Sequence, residues 1–200
     1  MSVNSSFATL DAALGRLTSD PTDGFFSGGT RIEFTHIPTR KSVGFKAFLT
    51  EYSESYNSDW HSEQVFGRMD PLMTFQNTSR KISLGWSVVA KHAGEAMTNM
   101  WAIDLLLSMQ YPVYEKIGFD ASSIVAPPLF KVGFKNLIQE GSDDLVCTIG
   151  GFSYAPDIDQ GFFSDHEGNI NPKVVNLSCE LIVLHTRETG WSTDGNWRGE

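Results

Sequence analysis

The chain has 200 residues and a mass of 22.2 kDa, with a formal net charge of −9, 40% apolar and 20% charged residues. That length supports one substantial core, with room for a long arm but no sign of a second independent domain. The negative balance argues against a surface that grips duplex nucleic acid, since such surfaces neutralise phosphates with Lys and Arg. An acidic lining would instead let a polyanion slide past. With 14 Phe and 18 Gly in a charge-poor chain, some of the surface is expected to be buried by neighbouring subunits.

In chain order, residues 1–39 read as an N-terminal arm. It contains one short possible helix, Phe7 to Leu17, followed by Asp, Pro and Gly punctuation. The main β domain is placed at 40–190. It opens with RKSVGFKAFL, a half-buried strand with Val43, Phe45, Ala47 and Leu49 on one side. KISLGWSV is a clearer strand, in which Ile82, Leu84, Trp86 and Val88 share the core face.

Between these two strands, Glu51 to Thr78 is too polar for core and too long for an ordinary turn. Two adjacent antiparallel strands, extended well past their sheet to a tip near Asp70-Pro71, reconcile its length with its alternation. Such an extension is predicted to meet other subunits, because its aromatic side chains would otherwise stay in water. The candidate interface residues here are Trp60, Gln64, Phe66, Arg68, Asp70, Phe75, Gln76 and Arg80. Arg40-Lys41, Arg68 and Arg80-Lys81 are predicted to meet acidic patches of adjacent subunits, Arg68 being the best placed for a specific fork.

The period changes after Val89. Ala96, Met100, Ile103 and Leu107, with Leu106 beside them, form a helical stripe over about 92–110 that ends before Pro112. Met97, Met100 and Met109 are read as core fillers. Strand character returns at 129–138, 143–156 and 173–186. In the last of these, Val175, Leu177, Cys179, Leu181 and Val183 face one way. Residues 191–200 are read as a C-terminal tail, in which Trp191 and Trp197 are costly to expose if they lie together.

Reaction centres are weakly signalled. Asp157, Asp159, Asp165 and Glu167 form an acidic stretch that also has surface-loop chemistry and does not match a calcium loop. The five histidines form no HExxH, and there is no P-loop, GxSxG or dinucleotide glycine series. Cys147 and Cys179 read as buried free thiols, with neither a CxxC partner nor a neighbouring base. No cofactor is predicted. The absence of a long apolar run or secretion-type leader makes a cytoplasmic chain the expectation, with no membrane contact. These observations favour a mainly β protein, a small sandwich or barrel flanked by one helix.

The strings VFGRMDPLMTFQNTSRKISLGW, FKVGFKNLI, GFSYAPDIDQGFF and NPKVVNLSCELIVLH together resemble baseplate and tail-tube-associated proteins of contractile-tailed bacteriophages. The resemblance covers most of residues 40–186. It implies a tail-tube-like antiparallel β-sandwich or barrel with one packing helix and a long interstrand loop, assembled as a homo-oligomer in sixfold rings. The function it implies is that of a non-enzymatic virion protein, assembled in the host cytoplasm. Such a ring would couple the hub or wedges of the baseplate to the tail tube around a DNA channel. Tube initiator, inner-baseplate ring and ordinary tube subunit are the forms it allows, the first two fitting a chain with several docking surfaces. It further implies that the segment from Asp157 through Phe162 and Phe163 is a structural contact loop. The reading of a different class is a free metal-dependent, carbohydrate-processing or carbohydrate-binding β-protein, with Asp157, Asp159, Asp165 and His166 in an open pocket.

Overall fold

The computed structural model describes residues 31–46, 48–117, 121–135, 137–139, 143–164 and 168–198. Eleven strands and one helix occur among them: β1 (Ile32–His36), β2 (Lys41–Phe45), β3 (Phe48–Glu63), β4 (Leu72–Val89), α1 (Ala93–Met109), β5 (Val113–Ile117), β6 (Ala121–Ala126), β7 (Phe130–Gly133), β8 (Leu145–Pro156), β9 (Phe162–Ser164), β10 (Ile170–Pro172) and β11 (Val174–Val183). Seven of the strands form one sheet in the order β2-β1-β7-β8-β11-β4-β3, every neighbouring pair antiparallel. The ribbons β5–β6 and β9–β10 stand apart from it.

The sheet curls on itself. β1 and β4 are separated by β7, β8 and β11, so in a flat sheet they would lie roughly 19 Å apart. Instead the Phe34 ring on β1 stacks on Trp86 of β4 at 5.5 Å, and Phe45 of β2 reaches the same indole at 6.1 Å. β2 ends at Phe45 and β3 begins at Phe48, so the chain turns the corner from one half of the sheet to the other almost without a break. The architecture is therefore mainly antiparallel β, sandwich-like, with one packing helix.

Period-two patterning fills this interior. Ile82, Leu84, Trp86 and Val88 of β4 are buried, as are Val175, Leu177, Cys179, Leu181 and Val183 of β11, as their alternation predicts. Ile32, Phe34 and His36 bring β1, which lies within the segment read as an arm, into the same core. Residues 7–17 lie outside the described residues.

α1 begins at His92, whose side chain accepts from the Glu95 N–H at 3.1 Å while the Glu95 carboxylate accepts from Lys91 N–H at 2.9 Å, a reciprocal cap. Its buried residues are Ala96, Ile103, Leu106 and Met109, with Met100 and Leu107 half-buried against the core. Met97, read as a core filler, instead faces solvent beside Trp101, one turn along the outer side of the helix. Two strands are shorter than their patterns suggested. The run at 40–49 breaks after Phe45 at the corner. The run at 129–138 stops at Gly133, because Phe134 N–H turns back to the Ile138 carbonyl and Lys135 adopts a positive φ of 49°.

Candidate functional site

β3 and β4 pair from Phe48↔Ser87 to Glu63↔Leu72, far beyond the body of the sheet. Residues Ser55–Glu63 and Leu72–Thr78 are exposed throughout. Nine residues at about 3.3 Å each carry this hairpin roughly 30 Å past the last shared core position. The excursion read from the sequence as paired strands beyond their sheet is thus a continuous two-stranded arm, with the loop 64–71 at its tip.

The two faces of the arm differ. Tyr52, Glu54, Tyr56, Ser58 and Trp60 alternate onto one face of β3, the face that continues the core side of Leu84 and Ile82 through the pairs Tyr52↔Leu84 and Glu54↔Ile82. At its base the Glu54 carboxylate accepts from the Arg80 guanidinium and from the Tyr56 hydroxyl at 3.0 Å, and Arg80 lies over the Tyr56 ring at 5.8 Å. The Tyr52 hydroxyl reaches the Leu137 carbonyl at 3.2 Å, which ties the arm to the body. Burial first, then the Glu54 carboxylate, raises both tyrosine pKa values above 10.0. Farther out, Ser58 and Thr78 hydroxyls meet at 3.2 Å, and Trp60 packs edge-on against Phe75 at 5.2 Å. The opposite face carries Ser53, Ser55, Asn57, Asp59, His61 and Glu63.

The tip is a turn. Arg68 N–H donates to the Val65 carbonyl at 3.2 Å, with Gly67 at φ 85°, the value a type II turn requires of its third residue. Phe66 and Met69 at this tip are 105% and 96% exposed, so neither ring nor thioether has a partner among the described residues.

The structure therefore brings together Trp60 and Phe75 as a ring pair, places Gln76 between the register positions Asn77 and Phe75 as a bulge, and gathers Gln64, Phe66, Arg68 and Asp70 at the tip. Arg80 is engaged by its own chain's Glu54 at the base. Asp157, Phe162 and Phe163 belong to a separate surface after β8, where Asp157 N–H bonds the Val174 carbonyl at 2.9 Å and Lys173 lies over the Phe163 ring at 5.3 Å. The residues that the sequence reading passed over are Tyr52, Glu54, Tyr56 and Met73. Their signal was the even-numbered spacing of Tyr52, Tyr56 and Trp60 along one strand face.

Smaller apolar surfaces stand elsewhere. Tyr114, Ile124 and Val125 are exposed on the β5–β6 ribbon. Trp191 and Trp197 do lie together, edge-on at 5.3 Å in a small closed turn, and both stay exposed. Among the described residues no group of three or more His, Cys, Asp or Glu is placed to hold a metal ion, and no helix is long and apolar enough to cross a membrane. Asp165, His166 and Glu167 lie outside the described residues.

No protein-family model and no curated protein sequence matches the chain. Among solved structures, it is similar at 12% identity and a TM-score of 0.36 to a chain of the "Tail of empty GTA particle computed with helical refinement, C6 symmetry", over 84% of this chain and 96% of that one. A chain of the "Virion of native gene transfer agent (GTA) particle" is similar at 13% identity and a TM-score of 0.34, over 79% of this chain and 98% of that one.

Proposed function

We propose that this protein is a non-enzymatic structural subunit of a viral tail, in which identical copies assemble around a channel for DNA by laying the β3–β4 arm on a neighbour. The observation that carries this reading is the aromatic face of the arm. Tyr56, Trp60, Phe75 and Met73 continue a core-type face for roughly 20 Å, and beyond Arg80 at the Tyr56 ring nothing among the described residues covers it. A second copy supplies such a cover at no cost in new sequence, and a heterologous contact of this kind closes into rings or stacks into a tube.

A tube subunit is the form we favour. One dominant projecting surface suits one repeated contact better than a set of different partners. The second reading is a sixfold ring that joins baseplate hub or wedges to the tube, for which the additional exposed ribbons at Tyr114–Ile124 and Trp191–Trp197 would supply further docking surfaces.

Electron microscopy of the purified full chain, alone and coexpressed with tail proteins, tests the reading. Rings or tubes in which residues 55–78 lie between subunits are the expected result. A chain that stays monomeric under all these conditions, with the arm in solvent, refutes it.

A further inference from the structure

On the outer face of the sheet, opposite Ile82 and its neighbours, lies an open groove of about 580 Å³ lined by Glu51, Ser83, Gly151, Ser153, Ser178 and Glu180. The register explains the depression. Ser178 sits between Gly85 and Ser153, and Glu180 between Ser83 and Gly151, so the floor across three strands carries hydroxymethyl groups or hydrogen between its acids. Gly85 also lets β3 come close, since a Cβ there would lie 3.1 Å from both Glu51 Cβ and Thr50 Oγ1. Glu180 shares Lys81 at 3.8 Å, whereas Glu51 is exposed and has no ion-pair partner among the described residues.

The tip of the arm has the complementary chemistry. Arg68 stands between two fully exposed apolar side chains, Phe66 and Met69, and likewise has no ion-pair partner among the described residues. Asp70, two positions on, supplies an anion opposite in sign to Lys81, the ion-pair partner of the groove's Glu180. The tip cannot reach the groove of its own chain. Glu51 lines the groove and the tip begins after Glu63, so the paired strand between them holds the two roughly 40 Å apart.

We propose that the tip of one copy seats in the outer-sheet groove of a second copy, with Arg68 pairing to Glu51 and Phe66 and Met69 covering the Ser/Gly floor. This rests on the self-assembly reading above and names the receiving surface for the tip. The contact is heterologous, because tip and groove are different surfaces of each copy, so it propagates from copy to copy.

Charge exchange tests it. Association of the full chain is measured by sedimentation velocity for the wild type, Arg68→Glu, Glu51→Arg and the double variant, with circular dichroism checking each fold. Both positions are exposed, so the fold is expected to survive. Each single reversal sets like charges together and weakens association by about tenfold or more, and the double variant recovers most of the loss. Wild-type association that neither single reversal alters, or that the double variant fails to restore, overturns the tip-to-groove pairing while leaving self-assembly intact. A wild type that does not associate at any attainable concentration overturns both readings.

Discussion

Leu84 and Phe75 lie on the same strand, β4, and replacing each by alanine separates the core from the arm. Leu84 is 1% exposed and packs inside the curled sheet, whereas Phe75 is 51% exposed and touches Trp60. For Leu84→Ala, three buried carbons at ~0.8 kcal/mol each amount to about 2.4 kcal/mol, and the cavity left in a tightly packed interior brings the loss to about 2–5 kcal/mol. For Phe75→Ala the monomer loses chiefly one edge-on ring pair, about 0.5–1.5 kcal/mol. The two effects should invert in association, where Phe75 contributes apolar surface to the contact and Leu84 contributes none. Urea unfolding below the concentration at which copies associate, followed by sedimentation above it, measures both quantities on the same preparations. A Phe75→Ala monomer destabilised as much as Leu84→Ala would mean that the arm is part of the folding core. Unimpaired association of that variant would mean that its aromatic face is not a contact.

Acid should loosen the β1–β2 end of the sheet through His36. This histidine is buried, its Nδ1 lies 2.8 Å from Thr39 Oγ1 and its Nε2 has no hydrogen-bond partner among the described residues; burial, then the nearby Lys41, lowers its pKa below 6.5. The unfolded chain therefore binds the proton more readily, so the stability from keeping His36 neutral is complete above 6.5 and is lost as pH falls below it. Urea midpoints measured down to roughly pH 5 should decline more steeply for the wild type than for His36→Phe, and parallel curves would refute this. Cys147 and Cys179 are both buried, and burial pushes each thiol up to about 12. Both should resist an aromatic disulfide reagent in the native protein and react only after unfolding, and rapid native labelling of either would contradict the assigned inner faces of β8 and β11.

The elements that the sequence made legible are those in which one period runs uninterrupted against a single core. KISLGWSV and the Val175–Val183 alternation each declare their buried face, and the stripe Ala96, Met100, Ile103 and Leu107, with Leu106 beside it, declares α1. Less legible were the places where a local contact overrides the pattern. β7 ends at Gly133 where Phe134 N–H turns back to the Ile138 carbonyl, and the glycine admits the Asp144 carboxylate closer than a Cβ would allow, a neighbour with no trace in the linear spacing. Asp70-Pro71 falls in the tip loop 64–71 as read, but the spacing does not show that its turn hydrogen bond closes at Val65–Arg68, where Gly67 supplies the left-handed conformation that Phe66 and Arg68 do not adopt.

The faces of the arm turn on a single residue. In β4 the even positions face the core side from Val88 to Arg80, and simple continuation would put Gln76 beside Trp60 and turn Phe75 to the polar face. The register instead runs Asp59↔Asn77 and then Trp60↔Phe75, so Gln76 is an extra residue and the parity of β4 flips beyond it. Phe75 and Met73 thereby join Tyr56 and Trp60 on one face, and the arm acquires an apolar side that neither strand's spacing predicts alone. A bulge that sets four large apolar or aromatic side chains on one exposed face works against solubility in a free monomer. In the proposed assembly a second copy would cover that face, and the position of Gln76 would then serve that contact.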